Sequence, residues 1–284
     1  MAKITVLAPG FFSSFQDMGR MGFRKFGVPC SGAMDSYSYR LANAIVNNKN
    51  NEAAIECTLT GPTLQFGSNT ILTIVGADGS PMINGRPCKI NSLLTVVKDD
   101  ILSFGKLKYG VRYYIAVKGG FDVTEILESK SYYKGIADHL LLKEGDIISI
   151  TDNDTGLLHT NANVRTRLTH FNTPNITVTP GPEFESMLYS QQLQLFKSDF
   201  IISKHNNRMA YQLEGAVEND LGSMITGPVL PGTVQLTSSG QLIVLMRDAQ
   251  TTGGYPRVLQ LTEEGINRLS QKRQGDVIRF RAEN

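Results

Sequence analysis

Leu242-Ile-Val-Leu-Met-Arg-Asp-Ala-Gln-Thr-Thr-Gly-Gly-Tyr-Pro256 changes character in its middle. Leu242 to Met246 are all apolar, with branching suited to a buried β-strand. Arg247, Asp248, Gln250, Thr251 and Thr252 then crowd ionic, amide and hydroxyl groups together. A strand inside a core does not tolerate unpaired polar groups, so the chain must leave the core here and present them elsewhere. Gly253-Gly254 permits positive φ and close backbone approach, and Pro256 pushes Tyr255 toward an extended conformation. Two readings fit: a polar floor at the mouth of a β-structure, or an ordinary turn with a polar rim.

Working outward from this stretch, short apolar runs recur along the whole chain. Ile4 to Leu7, Ala54 to Leu59, Ile71 to Val75, Ile101 to Phe104, Val111 to Val117 and Ile147 to Ile150 read as strands, with Asn84-Gly85 as a hairpin signal. So do Phe200 to Ser203, Tyr211 to Leu213, Val234 to Leu236, Val258 to Leu261 and Val277 to Phe280. Helices are few. Asp35 or Ser36 caps one reaching about Val46, Pro182 precedes one over Glu183 to Phe196, and Thr262 caps a short one to Ser270. A further short helix is predicted near Val123 to Leu127. The fold class is mainly β, in two domains at 1–165 and 170–284, with a polar linker over 152–172. Two echoes suggest related halves: Ile4 to Gly10 with Ile176 to Pro182, and Gly145-Asp146-Ile147 with Gly275-Asp276-Val277.

Composition excludes several function classes. The 284 residues carry a net charge of +2 and 41% hydrophobic residues, as a soluble globular protein does. No dense Lys/Arg run is present, so nucleic acid is not an expected partner. The first apolar run is too short for a signal peptide, and no stretch approaches a membrane span. Cys30, Cys57 and Cys88 are odd in number and form no close pair, which suits a reducing cytoplasm. Neither G-x-x-x-x-G-K-[ST] nor G-x-G-x-x-G occurs, nor H-E-x-x-H or C-x-x-C; no metal site is expected from the four scattered histidines. Ser103-Phe-Gly-Lys106 matches S-x-x-K but reads as a strand end. Asp17 with Arg20 reads as a pinned turn. Glu56, in an apolar strand, requires a partner, for which Arg20 or Arg40 would serve. His205, Asn206 and Arg208 read as a surface loop or an anion site.

Longer motifs point to a family. Phe15-Gln-Asp-Met-Gly-Arg20, Gly27-Val-Pro-Cys-Ser-Gly-Ala-Met-Asp35, Leu41-Ala-Asn43 and Ile55-Glu-Cys-Thr-Leu-Thr-Gly-Pro-Thr-Leu64 are in order along the chain. Lys118-Gly-Gly-Phe121, Asn207-Arg-Met-Ala-Tyr211 and Asp248 to Pro256 follow. Together they resemble the KipI-antagonist (KipA) family, which is also the family of the 5-oxoprolinase C subunit. It is related to allophanate hydrolase subunit 2 and to the carboxyltransferase part of urea carboxylase. The resemblance implies two domains with cyclophilin-like β-barrels. It implies two partners, a KipI-like B subunit with a further A subunit, together forming an ATP-dependent hydrolase that opens 5-oxoproline to glutamate. ATP would be bound by the complex, on this chain or on a partner subunit. Relatives of urea carboxylase type imply an alternative, carboxyl transfer from biotin carried on another chain. A third alternative is a non-catalytic protein that sequesters a KipI-type kinase inhibitor. This chain departs from the family pattern at Glu128, where the family has Gly, and at Tyr132, Ala210 and Gln212.

Lactam opening needs a carbonyl made electrophilic and a site for the developing oxyanion. Asp248, Gln250 and Thr251 are the expected catalytic residues, with Asp248 orienting a donor or acting as base. Arg208, pairing a carboxylate or phosphate bidentately, together with Tyr211, Gln235, Thr252, Gly253, Gly254 and Tyr255, is expected to bind substrate.

Overall fold

The computed structural model describes residues 2–151 and 164–283. Most of the predicted linker, at 152–163, lies outside the described residues; beyond it a short helix runs over Thr169–Asn172. The chain is mainly β, with short helices over Ser36–Ile45, Tyr189–Lys197 and Glu263–Leu269. It divides into two compact units: Met1–Arg20 with Asp35–Phe171, and Met21–Met34 with Asn172–Asn284. The segment 21–34, placed by sequence within a first domain at 1–165, is therefore counted with the second unit.

In the first unit the strands form two sheets. One has seven strands, running from Phe121–Asp122 through Ile147–Ile150, Ala2–Ala8, Thr63–Phe66, Ile101–Phe104 and Pro81–Ile83 to Arg86–Pro87. The other has five, with Tyr109–Val117 between Ala54–Thr58 and Thr70–Asp78. Alternation places Ile55 and Cys57 in the apolar core with Ile74, Tyr113 and Ile115. Glu56 and Tyr114 therefore share the opposite face, and antiparallel register sets them directly across from each other.

The second unit is a closed ring of seven strands. In order they are Asn175–Pro180, Arg257–Leu261, Thr233–Leu236, Gln241–Leu245, Ala210–Ala216, Phe200–Asn206 and Val277–Ala282. A parallel pairing of Asn175–Pro180 with Val277–Ala282 closes the ring. Leu242, Val244 and Met246 are fully buried in its core with Tyr211, Leu213 and Val234. Each such side chain contributes about 1.5–3 kcal/mol on burial. Ile243 and Leu245 face the other way and pack with Val229 and Ala249 in a smaller cluster. The apolar run is thus a strand buried on both faces.

The Gly-Asp echo is one turn made twice. Gly145 and Gly275 have φ of +85° and +86°. Asp146 Oδ2 accepts from Lys143 N at 2.7 Å, and Asp276 Oδ2 from Arg273 N at 2.9 Å. Each turn also exchanges backbone hydrogen bonds with a neighbouring strand, Gly145 and Asp146 with Val6, and Gly275 and Asp276 with Ile202; the two strands that follow differ in one pairing. Ile147–Ile150 runs antiparallel to the first strand of its unit, and Val277–Ala282 runs parallel to Asn175–Pro180.

Caps behave as the side chains dictate. Asp35 accepts from Ser38 N at 3.1 Å and Thr262 from Gly265 N at 3.1 Å. The helix expected over Glu183 to Phe196 is split into a 3-10 turn at Phe184–Ser186 and a helix at Tyr189–Lys197. The short helix expected near Val123 to Leu127 is not formed. Ile126 and Ser129 exchange backbone hydrogen bonds, and between them Leu127 and Glu128 take φ of +52° and +58°. Positive φ at both central positions is the geometry of a type I′ turn, which favours Gly or Asn. Glu128 thus stands where the resembling family carries Gly.

Two predictions follow from local chemistry. Glu128→Gly relieves a left-handed side-chain residue and should raise stability by about 0.5–1 kcal/mol in urea unfolding; a loss would show that the Glu128 side chain supports the turn. Glu183 is bound by Arg257 through Nη2 at 2.7 Å and Nε at 3.0 Å. The hydrogen bonds from Arg257 hold its carboxyl below the ordinary value of 4.5. Its stabilisation is therefore present above that value and is lost as pH falls through the lower folded one. Glu183→Gln should flatten this part of the acid limb of a Tm-versus-pH curve, and an unchanged limb would refute the linkage.

Candidate functional site

The strand Gln241–Leu245 ends where its side chains turn polar. Met246 N donates to Met209 O and Asp248 N to Arg208 O, so the segment folds back along the 207–210 turn. That turn is held by Asn207, whose Oδ1 accepts from Met209 N at 2.7 Å. Arg208 and Asp248 thereby meet, at 7% and 6% exposure. Arg208 donates through Nε to Asp248 Oδ2 at 2.8 Å and through Nη2 to Oδ1 at 3.0 Å. The same Nη2 donates to Gly32 O at 2.7 Å.

Arg208, expected to bind substrate, and Asp248, expected to be catalytic, are thus bound to each other. The guanidinium fork of Arg208 donates to Asp248 and to the Gly32 carbonyl, so it is a clamp within the protein. Both Asp248 oxygens receive Arg208, so the carboxylate positions that clamp. The clamp fastens the 21–34 segment to the end of the strand. Ser31 N donates to Arg247 O at 3.1 Å. Ser31 and Gly32 have φ of +55° and +90°, which turns the Gly32 carbonyl toward Arg208. Arg24 donates from Nη2 to Val229 O and to Thr251 O. The role of Arg24 was missed in sequence because nothing local ties it to residues two hundred positions away.

The remaining expected residues separate by exposure. Gln250, Thr252 and Tyr255 are exposed, and Thr251 is half-buried. Thr252–Gly253 pairs with Gly227–Pro228, and Met224 N donates to Gly254 O at 2.8 Å. Neither Gly253 nor Gly254 has positive φ. The requirement at 253 is for space, since a Cβ there would lie 2.5 Å from Gln235 Nε2. Gln235 is buried, and its amide reaches Tyr255 O at 3.4 Å. Tyr211 is fully buried in the barrel core, its hydroxyl donating to Lys272 O at 3.5 Å. Gln235 therefore supports the segment from within the protein, and Tyr211 belongs to the barrel core. The exposed set is neutral: an amide, hydroxyls and a phenol, beside the clamped loop. Such a surface hydrogen-bonds and polarises a carbonyl.

In the first unit the other motif residues gather on buried polar networks. Asp17 Oδ1 accepts from Gly19 N, Ser129 Oγ and Ser131 Oγ, and Oδ2 from Lys130 N, all within 2.6–2.7 Å. Four donors fill the acceptor capacity of a carboxylate, which makes Asp17 a structural hub. Glu56 Oε2 accepts from the Tyr114 hydroxyl at 2.7 Å, and Arg112 Nε lies 3.8 Å from Oε1. The sequence calls for an Arg partner such as Arg20 or Arg40, and the Arg at ion-pair distance is Arg112; Arg20 donates to the Ser131 carbonyl. Burial, with Glu56 and Asp35 beside it, pushes the Tyr114 phenol well above its ordinary range, so it remains a donor. The Tyr114 hydroxyl also accepts from Asp35 N at 2.8 Å, and Asp35 Oδ2 lies 2.9 Å from His170 Nε2. His170 was one histidine among four in the sequence, with no local signal.

The family model described as "Carboxyltransferase domain, subdomain A and B" matches residues 26–282. The C subunit of the 5-oxoprolinase of Escherichia coli (strain K12) is 32% identical over 98% of this chain and 90% of its own length. Among solved structures, the crystal structure of TTHA0988 superposes with a TM-score of 0.88 at 25% identity, over 99% of this chain. This chain spans 55% of that one. The K. lactis urea amidolyase gives a TM-score of 0.87 at 28% identity, over 98% of this chain and 18% of that one.

The clamp and the exposed set predict opposite behaviours. Asp248→Ala leaves a buried guanidinium without its carboxylate and should destabilise the protein by about 3–5 kcal/mol. Gln250→Ala should change stability by under about 0.5 kcal/mol. Chemical denaturation of both variants checks this, and equal small effects would show that Arg208–Asp248 is not a structural clamp.

Proposed function

This chain belongs to the carboxyltransferase domain family, and from that premise we propose that it is one subunit of an ATP-dependent 5-oxoprolinase. The observation that carries this reading is likeness to the C subunit of a 5-oxoprolinase along nearly the full length of both chains. In the proposal it works in the cytoplasm with two partners, a KipI-like B subunit with a further A subunit. The free thiols of Cys30, Cys57 and Cys88 suit that compartment. The complex hydrolyses the lactam of 5-oxoproline to glutamate.

The chain's own contribution is binding and polarisation. The Arg208–Asp248–Gly32 clamp fixes the loop beside the exposed Gln250 and Thr252. Gln250 donates its amide N–H to the lactam carbonyl as charge develops on the oxygen, and Thr251 or Thr252 supplies a hydroxyl. Neutral donors of this kind stabilise an oxyanion without a proton being lost from the protein. For ATP the residues do not form a fitting cradle. Gly253 and Gly254 lack positive φ, Gly254 O is engaged by Met224, and the Arg208 fork is filled by Asp248. ATP is accordingly assigned to a partner subunit, and no step here is routed through it.

A second reading is favoured by the family description and by the urea amidolyase structure. In it the same donors hold the ureido oxygen of a biotin carried by another chain while a carboxyl group is transferred. Reconstitution separates the two. The chain co-purified with its partner subunits should form glutamate from 5-oxoproline and ATP without biotin. Gln250→Ala should lower that rate by roughly 10²–10³ with folding and assembly intact. Full activity of the variant would remove Gln250 from the chemistry. Turnover that requires a biotinylated protein would replace the first reading by the second.

A further inference from the structure

One cation of the second unit has no counter-charge. Setting aside the exposed Arg273, Arg279 and Arg281, the arginines of that unit are Arg24, Arg208, Arg247, Arg257 and Arg268. The last four each bind a carboxylate, at Asp248, Glu263, Glu183 and Glu264. Arg24 is half-buried, and its partners among the described residues are two carbonyls, Val229 O and Thr251 O, both reached by Nη2. Its Nη1 is buried with no partner, so Arg24 works from behind the 250–252 loop and offers no face to a ligand there. An uncompensated guanidinium away from water is costly unless negative charge appears within its field.

One peptide carries that field to the candidate site. Thr252–Gly253 pairs with Gly227–Pro228, and next to them Val229 N donates to Thr251 O at 3.1 Å. In an antiparallel ladder, hydrogen-bonded and non-hydrogen-bonded pairs alternate. The bond from Val229 makes Thr252 and Pro228 a non-hydrogen-bonded pair, so Thr252 N–H faces away from the 227–229 strand. Pro228 has no N–H to give, and its carbonyl accepts from Arg257 Nη1 at 2.9 Å. Among the described residues nothing outside that ladder accepts from Thr252 N, and Thr252 is exposed. Thr251 C=O and Thr252 N–H belong to one planar trans peptide and point in opposite directions. Arg24, on the oxygen, therefore polarises that peptide and strengthens its N–H as a donor. We propose that the Thr252 backbone N–H is an oxyanion donor of the site and that Arg24 is its positioning residue. As charge develops on the lactam oxygen, Thr252 N–H donates to it alongside Gln250, and the cation behind the peptide stabilises it. The proposal rests on the 5-oxoprolinase reading and adds to it a donor that belongs to the backbone.

The test is steady-state glutamate formation from 5-oxoproline and ATP by the chain co-purified with its partner subunits. Arg24→Gln should lower kcat by about ten-fold to a hundred-fold with KM nearly unchanged, because the field acts on charge present only in the transition state. Arg24→Lys keeps the cation and should recover most of that loss. Thr252→Pro removes the N–H without breaking a ladder bond and should lower kcat by roughly 10²–10³. Thr252→Ala keeps the N–H and should remain at least about ten-fold faster than Thr252→Pro. Co-purification and Tm report the folding of each variant, and if Thr252→Pro does not fold the Arg24 pair decides. Equal kcat for Arg24→Gln and Arg24→Lys, a loss confined to KM, or Thr252→Pro as fast as Thr252→Ala would each overturn the proposal while leaving the 5-oxoprolinase reading in place. A wild-type complex that forms no glutamate would overturn that reading and the proposal with it.

Discussion

The second unit depends on one buried ion pair. Arg208 and Asp248 lie forty positions apart, on the turn before one barrel strand and the turn after its neighbour. Their fork-to-fork geometry satisfies both groups, and the spare capacity of Nη2 captures the Gly32 carbonyl. A buried pair is a doubtful source of stability by itself, because desolvation offsets much of the attraction. Its effect here is positional: it ties a segment from the first fifth of the chain to the end of a barrel strand.

The first unit uses the same device with neutral donors. The Asp17 carboxylate gathers Ser129, Lys130 N, Ser131 and Gly19. The donors follow directly on the turn that holds Leu127 and Glu128 at positive φ. Strain of that kind persists when its surroundings over-determine it. The four hydrogen bonds on Asp17 supply that constraint, which explains how Glu occupies a position suited to Gly. The change at 128 is a matter of backbone energy, and it leaves the carboxylate hub intact.

The two units also differ in what they offer a ligand. The clamp and barrel present a neutral set at Gln250 and Thr252, suited to a carbonyl whose charge develops during reaction. The first unit instead satisfies its motif carboxylates, Asp17 and Glu56, with donors of its own.

Sequence by itself determined the β class, the strand at Leu242 to Met246, the caps at Asp35 and Thr262, and the need of Glu56 for a partner. These are local properties: alternation, branching, and a side chain within reach of its own backbone. It also marked Asp248 to Tyr255 as the stretch to watch, and the motifs there carried the family. The roles were decided only by tertiary structure. Tyr211 and Gln250 are both polar-tipped side chains in quoted motifs, yet strand alternation buries one and the turn exposes the other. Glu56 met Tyr114 and Arg112 through antiparallel register, which no local pattern encodes. Arg208 reads in sequence as part of a surface loop or an anion site, because its partner, Asp248, and the carbonyl it holds, Gly32, become its neighbours only in the folded unit. Periodicity is a property of a few adjacent residues; pairing across a sheet is a property of the whole fold.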